Sequence, residues 1–123
     1  IRDRAVNGQV NDLFYYYREQ AALKARQYQR ALDDIVKAVE LSPKDLTYRA
    51  EHAVVNLRVG RYEESMKILN EILKDEPKYG EAYRLLGLCQ IQLKKTDEAC
   101  GNFNKAKELG DPNVDELIKK YCK

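Results

Sequence analysis

The residues that could carry covalent or metal chemistry are few in this 123-residue chain, and they lie far apart. There is one histidine, His52, and there are three cysteines, Cys89, Cys100 and Cys122. A metal site needs several imidazole, thiolate or carboxylate ligands, and a cysteine nucleophile paired with histidine needs a third group that orients the imidazole. The sequence therefore predicts no catalytic residue, no metal and no cofactor, and we expect His52 to pack between helices.

The cysteines are a poor disulfide framework, because their number is odd and none are close in sequence. Cys89 and Cys100 would lie on the two helices of one hairpin, at similar distances from its turn, so a link between them stays open. Small apolar packing is the alternative. We expect Cys122, near the end of the chain, to be exposed. The pattern favours reduced thiols and a cytoplasmic location, although the compartment stays open.

Charge and composition argue against two classes of partner. The chain has 22 basic and 20 acidic residues, a net charge of +2, whereas a dedicated nucleic-acid binder concentrates basic residues on one face. No run approaches the roughly 18 apolar residues that a membrane span requires. We therefore expect no nucleic-acid binding and no membrane span. The first residue is Ile1 rather than Met, which we interpret as truncation at the N-terminus.

Two runs of similar residues need no functional explanation. The carboxylate pairs Asp33-Asp34 and Glu63-Glu64 lie in first or second helix turns, where negative charge favours the helix dipole. The run Tyr15-Tyr16-Tyr17 cannot form one aromatic platform, because adjacent helical residues point about 100° apart. We expect one or two of these tyrosines in the core and Tyr16 to face outwards.

The chain is organised by a repeat of 34 residues. Small and apolar residues recur at this interval in three second helices. These carry Tyr28, Ala31, Ile35 and Ala38, then Tyr62, Ser65, Leu69 and Ile72, then Thr96, Ala99, Phe103 and Ala106. Pro43 and Pro77 follow the first two of these helices at the same interval, and the first of them ends before Pro43. Spacings of three and four place each set on one helical stripe. A period of this length is typical of a solenoid, whose stacked hairpins bury a seam that none could bury alone.

Each hairpin needs a turn between its two helices. Gly60 marks one turn directly, since glycine readily takes the left-handed conformation that ends a helix. The corresponding place in the first hairpin predicts a turn at residues 26–28. In the third hairpin, Gly87 against Ala99 leaves no bulk at the helix crossing. We expect the two backbones to approach closely there, with Phe103 filling the space towards the preceding hairpin.

The third repeat carries the most complete motif, formed by Tyr83, Leu86, Gly87, Ala99, Phe103 and Ala106. With its two weaker upstream copies it resembles the tetratricopeptide repeat (TPR) family, whose period is the same. The resemblance covers residues 12–113. It implies an all-α fold, a right-handed α-solenoid of three helix-turn-helix repeats with a C-terminal capping helix. The family's glycine position holds Glu19 and Ala53 in the first two repeats, and its leucine position holds Arg18 and His52.

The implied domain organisation has five parts. Residues 1–11 would be an N-terminal remnant or the tail of an upstream repeat, residues 12–45, 46–79 and 80–113 the three repeats, and residues 114–123 the capping helix. Asp111 before Pro112 predicts the start of that helix. Val114, Leu117, Ile118 and Tyr121 form its apolar stripe. We expect the helix to cap the third repeat, and docking on another protein is the alternative.

The resemblance also implies a binding surface, because the first helices of TPR hairpins line a concave face that commonly binds an extended peptide. The lining maps onto Tyr16, Gln20 and Lys24 in the first repeat, Thr47, Val54 and Arg58 in the second, and Glu81, Arg84, Leu88 and Gln92 in the third. Its polar members are mostly cationic or neutral. The expected function is a non-catalytic protein–protein interaction scaffold that binds a peptide or partner protein with apolar and acidic groups.

Two further expectations concern the kind of partner. Chaperone-binding members of the family clamp a terminal carboxylate with Lys, Asn and Arg side chains, and no such clamp is predicted because the matching places lack Asn. They hold Tyr16, Gln20, Val54, Arg84 and Leu88. The alternative function is structural, an oligomerisation segment of a larger TPR protein. An open solenoid end exposes an apolar helix face, so this alternative predicts a homo-oligomer formed through the N-terminal end.

Overall fold

The computed structural model describes residues 11–122, so the predicted remnant at residues 1–11 lies outside them except for Asn11. The described residues form seven helices and no strand. In chain order these are α1 (Asp12–Lys24), α2 (Tyr28–Leu41), α3 (Leu46–Arg58), α4 (Tyr62–Asp75), α5 (Gly80–Gln92), α6 (Thr96–Glu108) and α7 (Asp115–Tyr121). Within residues 11–122, every helix is too short or too polar to cross a membrane.

The second helix of each hairpin buries one repeated stripe of small and apolar residues. Ala31, Ile35 and Ala38 of α2 are completely buried. The residues at the same places in α4 and α6 are completely buried too, namely Ser65, Leu69, Ile72, Ala99, Phe103 and Ala106. The repeat in the sequence is therefore a repeat of one packing surface, as the helical periodicity predicts.

The turns inside the three hairpins also repeat. Arg26, Gly60 and Lys94 lie at the same place in successive hairpins, and their φ angles are 61°, 88° and 65°. Gly60 takes this left-handed conformation without steric cost, whereas the Cβ atoms of Arg26 and Lys94 crowd a carbonyl oxygen. The turn predicted at residues 26–28 lies between α1 and α2 and begins one residue earlier.

The packing order makes the molecule a linear stack of hairpins. Each second helix packs against the first helix of its own hairpin and against that of the next, so α2 contacts α1 and α3, and α4 contacts α3 and α5. Two apolar clusters fill these layers, and a third lies beneath α7. The predicted all-α solenoid is confirmed for the described residues.

The closest approach between helices occurs where α5 crosses α6. A Cβ atom at Gly87 would overlap Cε1 and Cδ1 of the Phe103 ring. Phe103 is completely buried and belongs to the third cluster together with Ala99. Gly87 therefore permits the close approach, as predicted, but it is the Phe103 ring that occupies the space above it.

The helix α7 closes the C-terminal end of the stack but begins later than predicted. Asp111 is not its N-cap, because Oδ1 of Asp111 accepts from the backbone N of Asn113 at 2.7 Å and Oδ2 accepts from Nε of Arg84 at 3.1 Å. These bonds form a tight turn before the helix, which starts at Asp115. The apolar stripe of α7 packs on the third cluster, so its predicted capping role is confirmed.

The cysteines pair in a way that the sequence did not predict. Cys100 and Cys122 form a disulfide with their Cα atoms 5.8 Å apart, and Cys89 is a buried free thiol. The expectation of reduced thiols is wrong for Cys100 and Cys122, because α7 returns the chain to α6, and it holds only for Cys89. The expected exposure of Cys122 and a link from Cys89 to Cys100 are also wrong. Closing this loop contributes about 3 kcal/mol in the loop-entropy model. Disulfides persist in oxidising compartments, so the cysteines do not support a cytoplasmic location.

Replacing Gly87 with alanine should destabilise the protein. The new methyl group must displace the buried Phe103 ring, and overpacking of this kind costs about 1–3 kcal/mol. Gly101→Ala is the matched control, because position 101 also lies within a helix but has no neighbouring atom within 4 Å of its Cβ position. Its loss should stabilise the helix by about 0.5–1 kcal/mol. Urea unfolding measures both effects, and equal midpoints for the two variants would contradict the close approach.

Candidate functional site

Three of the predicted lining residues meet around a cavity between α1 and α3. Gln20 and Lys24 of α1 face Arg58 of α3 across a space of about 360 Å³, and Leu23 and Glu51 complete its lining. We call this space the α1–α3 groove. It is built by the first helices of two successive hairpins, which is the face where binding was predicted.

The basic rim of the α1–α3 groove is free of ion pairs. Lys24 and Arg58 are exposed in the last turns of α1 and α3. Within residues 11–122, neither side chain pairs with a carboxylate. The carbonyl end of each helix favours a cation there, and Leu23 supplies an apolar surface between them. The rim can therefore accept an acidic group from outside the chain.

Tyr16 lies beside the groove but does not face outwards. Its ring and that of the buried Tyr48 have centroids 5.1 Å apart, and the Tyr48 hydroxyl donates to Oδ2 of Asp12 at 3.3 Å. Burial, and then the charge of Glu51, raise the pKa of the Tyr16 hydroxyl. The expectation that Tyr16 is the outward residue of the tyrosine run is wrong, because Tyr17, at 58% exposure, takes that place.

Other predicted lining residues do not reach the α1–α3 groove. Val54 and Leu88 are half-buried and pack against the apolar clusters. Thr47 is exposed but is not part of the groove lining. Gln92 lies beside α4, where its Oε1 accepts from the Tyr62 hydroxyl at 3.5 Å. The predicted set of residues is therefore spread over more than one surface.

Arg84 is held by groups of its own chain. Its Nε donates to Oδ2 of Asp111 at 3.1 Å, and its Nη2 lies 3.8 Å from Oε2 of Glu81. Only 17% of its side chain is exposed. Its charge is matched internally, so Arg84 stabilises the segment that follows α6. Charge reversal at Arg84 would disrupt this ion pair and could not test binding by itself.

Two carboxyl groups lie against each other at the groove, and sequence reasoning missed both as site residues. Glu19 is completely buried, and neither of its carboxyl oxygens accepts a hydrogen bond within residues 11–122. Burial, then the neighbouring Glu51 carboxyl group and the charge of Asp34, raise the pKa of Glu19 to about 9. Glu19 is therefore protonated at neutral pH. The sequence did contain a signal for this buried carboxyl group, because Glu19 occupies the repeat position that holds the small residues Ala53 and Gly87 in the later repeats.

The guanidinium of Arg18, which lies near this carboxyl pair, already pairs with Asp34. Arg18, at the leucine position of the first repeat, donates from Nε and Nη2 to Oδ2 and Oδ1 of Asp34 at 2.9 and 2.8 Å. Its guanidinium carbon also lies 4.8 Å from the ring centroid of Phe14. The forked pair neutralises the buried Asp34 carboxylate. It explains how a charged residue is accommodated where the family has leucine.

His52 and Cys89 are packing groups. His52 lines a separate cavity of about 550 Å³ that also includes residues of α2 and α4. Burial lowers the pKa of His52, so its imidazole is neutral at neutral pH. Burial also raises the pKa of the Cys89 thiol, and a hydrogen bond with Ser65 opposes this only in part. Neither side chain has the environment of an activated nucleophile or base.

The match to a protein family agrees with this architecture. The family model of the tetratricopeptide repeat matches residues 22–88 and 56–101, which together cover more than half of the chain. The chain therefore belongs to the tetratricopeptide repeat family. The family is defined by the helical hairpins, and it does not by itself define a partner.

The chain matches only a small part of the curated relatives, which are longer proteins. The chain is 29% identical over 99 residues to small glutamine-rich tetratricopeptide repeat-containing protein 2 of Mycosarcoma maydis, covering 80% of this chain and 28% of that protein. It is 31% identical over 101 residues to heat shock protein STI1 of Saccharomyces cerevisiae, covering 79% of this chain and 17% of that protein.

Solved structures share the fold at low sequence identity. The first TPR domain of Spaghetti (RPAP3) bound to the HSP90 peptide SRMEEVD has a TM-score of 0.78 and 19% identity, over 90% of each chain. YrrB, a TPR protein with an unusual peptide-binding site, has a TM-score of 0.80 and 21% identity, over 92% of this chain and 59% of its own. At these identities the likeness shows the fold.

Glu19→Gln should remove a pH dependence of stability. The pKa of Glu19 is about 9 in the folded protein against an ordinary value of 4.5, so between these values the folded state holds one proton more. The stability from this proton is complete below the unfolded pKa and is lost as the pH rises towards the folded pKa, by up to about 1.4 kcal/mol per pH unit. Urea unfolding between pH 5 and pH 9 measures the loss.

The quantity to compare is the unfolding free energy of the unmodified protein minus that of Glu19→Gln. It should fall steadily across this pH range, because the amide of glutamine does not titrate. A difference that stays constant with pH would contradict a protonated Glu19.

Proposed function

We propose that this protein is a non-catalytic interaction scaffold that binds an extended segment of a partner in the α1–α3 groove. The segment presents an acidic side chain to Lys24 and Arg58 and an apolar side chain to Leu23. The observation that carries the proposal is the pair of unengaged cations beside an apolar surface in one cavity. A guanidinium fork suits a carboxylate, and such charge-assisted hydrogen bonds are among the strong ones.

Proteins with the same fold support this class of partner by analogy. The HSP90 peptide SRMEEVD, which the first TPR domain of Spaghetti (RPAP3) binds, is rich in acidic residues. YrrB has a peptide-binding site described as unusual. Both statements concern those proteins, and they favour a peptide over other ligand classes for this chain.

The proposed segment is bound by its side chains rather than by a terminal carboxylate. Arg84, at a place where chaperone-binding members have a clamp residue, is engaged with Asp111. Gln20 and Tyr16 supply no positive charge. The cations of the α1–α3 groove lie instead at the last turns of α1 and α3. An internal acidic residue of the partner can reach them without a chain end.

Charge reversal of the groove rim should abolish binding of an acidic probe. The probe is the acetylated and amidated peptide QALEA, added to ¹⁵N-labelled protein while amide chemical shifts are recorded. The signals of Gln20, Lys24, Glu51 and Arg58 should move. Lys24→Glu combined with Arg58→Glu should weaken binding by about tenfold or more, because both attractive charges become repulsive.

The matched control is Lys37→Glu combined with Lys74→Glu. This pair changes the formal charge by the same amount at exposed positions of α2 and α4, outside the groove. It should bind the probe like the unmodified protein. Equal weakening in the two double variants would reduce the effect to net charge, and equal binding by all three proteins would eliminate the groove as the site.

One observation favours a second candidate, an oligomerisation segment that uses the N-terminal end of the stack. Phe14 and Tyr17 on the outer side of α1 are 38% and 58% exposed. The residues at the place of Phe14 in the next two hairpins, Tyr48 and Ala82, are buried. The preceding second helix covers that face in the later hairpins, whereas no helix within residues 11–122 covers it in α1. A stable dimer in sedimentation equilibrium would favour this candidate, and a monomer would favour the scaffold.

A further inference from the structure

The proposed binding of an acidic group leaves the carboxyl pair of Glu19 and Glu51 without a role. Around Glu19, α1 contributes Tyr16 and Arg18, α2 contributes Asp34, and α3 contributes Glu51. Arg18 is taken up by Asp34 through two hydrogen bonds. Within residues 11–122, no cation pairs with Glu19 or Glu51.

Glu51 places a carboxyl group in the α1–α3 groove. A buried carboxyl group is costly unless it is neutral or paired, and a proton keeps Glu19 neutral. The half-buried carboxyl group of Glu51 lines the cavity. A charge that is half-buried in a cavity is screened less than one on an open surface. A cation from outside the chain can therefore bind there.

The groove is acidic at one end and basic at the other. Glu51 and Arg58 are seven residues apart in α3, which places them about 10 Å apart along the helix axis. Lys24 ends α1 at the basic side. An extended segment in the polyproline II conformation advances about 3.1 Å per residue with three residues per turn. Side chains three positions apart therefore point to the same side and span the distance between the two ends.

We propose that the α1–α3 groove recognises an extended segment that carries a basic and an acidic side chain three residues apart. The basic side chain binds Glu51, and the acidic one binds Lys24 and Arg58. An apolar residue between them contacts Leu23. This inference rests on the proposed function and narrows the partner from an acidic segment to one with paired opposite charges.

Binding of the basic side chain releases a proton. The O–H bond of Glu19 breaks, its electron pair stays on the carboxylate oxygen, and the proton passes to the buffer. The incoming guanidinium balances the second negative charge. Because the deprotonated pair attracts a cation more strongly, affinity should rise between pH 7 and pH 9. Arginine is the suitable basic residue for a test peptide, since its guanidinium stays charged throughout that pH range.

Calorimetric titration with three acetylated and amidated peptides tests the inference. RALEA carries both charges at the proposed spacing, QALEA lacks the base, and ALREA has the composition of RALEA with adjacent charges. RALEA should bind about tenfold more tightly than either of the others. Its affinity should be about fivefold higher at pH 9 than at pH 7. Buffers of different ionisation enthalpy should reveal the released proton.

Protein variants separate this inference from the proposed function. Glu51→Gln should remove the preference for RALEA over QALEA, whereas Glu51→Asp, which keeps the charge, should retain it. Glu40→Gln, at an exposed glutamate of α2, is the control and should also retain it. If RALEA binds the unmodified protein no more tightly than QALEA, or if ALREA matches RALEA, the inference is overturned while the proposed function stands. If no peptide binds, both are overturned.

Discussion

The two helices of each hairpin cross at one position, and the residue of the first helix at that position limits how closely they approach. The third hairpin has Gly87 there, under the Phe103 ring, and the second has Ala53. The first has Glu19, whose carboxyl group is completely buried. The stack tolerates this glutamate only because the group is neutral and lies against Glu51 of the next hairpin. The same helix-crossing position therefore holds a small residue in two hairpins and a buried, protonated carboxyl group in the first.

The helical stack could be predicted from the sequence because its information is local and periodic. Buried residues three and four apart determine α2, α4 and α6, and comparison with Gly60 is enough to locate the turn at Arg26. The direction in which α7 crosses α6 cannot be predicted from the spacing of apolar residues along the chain. That direction decides the pairing of Cys100 with Cys122. Asp111 does not cap α7, because its side chain accepts a hydrogen bond within the turn that precedes this helix.

The candidate site could be predicted only in part, because membership of a helix face does not reveal a side chain's partners. Gln20, Lys24 and Arg58 follow from their places on the first helices and do line one cavity. Arg84 also lies on a first helix, at the place that Tyr16 has in the first repeat, but its partner Asp111 is 27 residues further along the chain. The contact between Glu19 and Glu51 of α3 depends on how two hairpins stack. The residue pattern of a single helix does not predict that stacking.

The groove combines an exposed pair of cations with the carboxyl group of Glu51, and Glu51 adjoins the protonated Glu19. Binding and protonation are therefore linked in our proposal. The most direct measurement is a ¹³C NMR titration of the Glu19 and Glu51 side-chain carboxyl carbons, with and without RALEA. In the free protein Glu19 should titrate near pH 9, and its midpoint should fall when the peptide is bound. A Glu19 that titrates near the ordinary value of 4.5, with Glu51 unaffected by the peptide, would contradict a protonated Glu19 and the binding of a basic side chain.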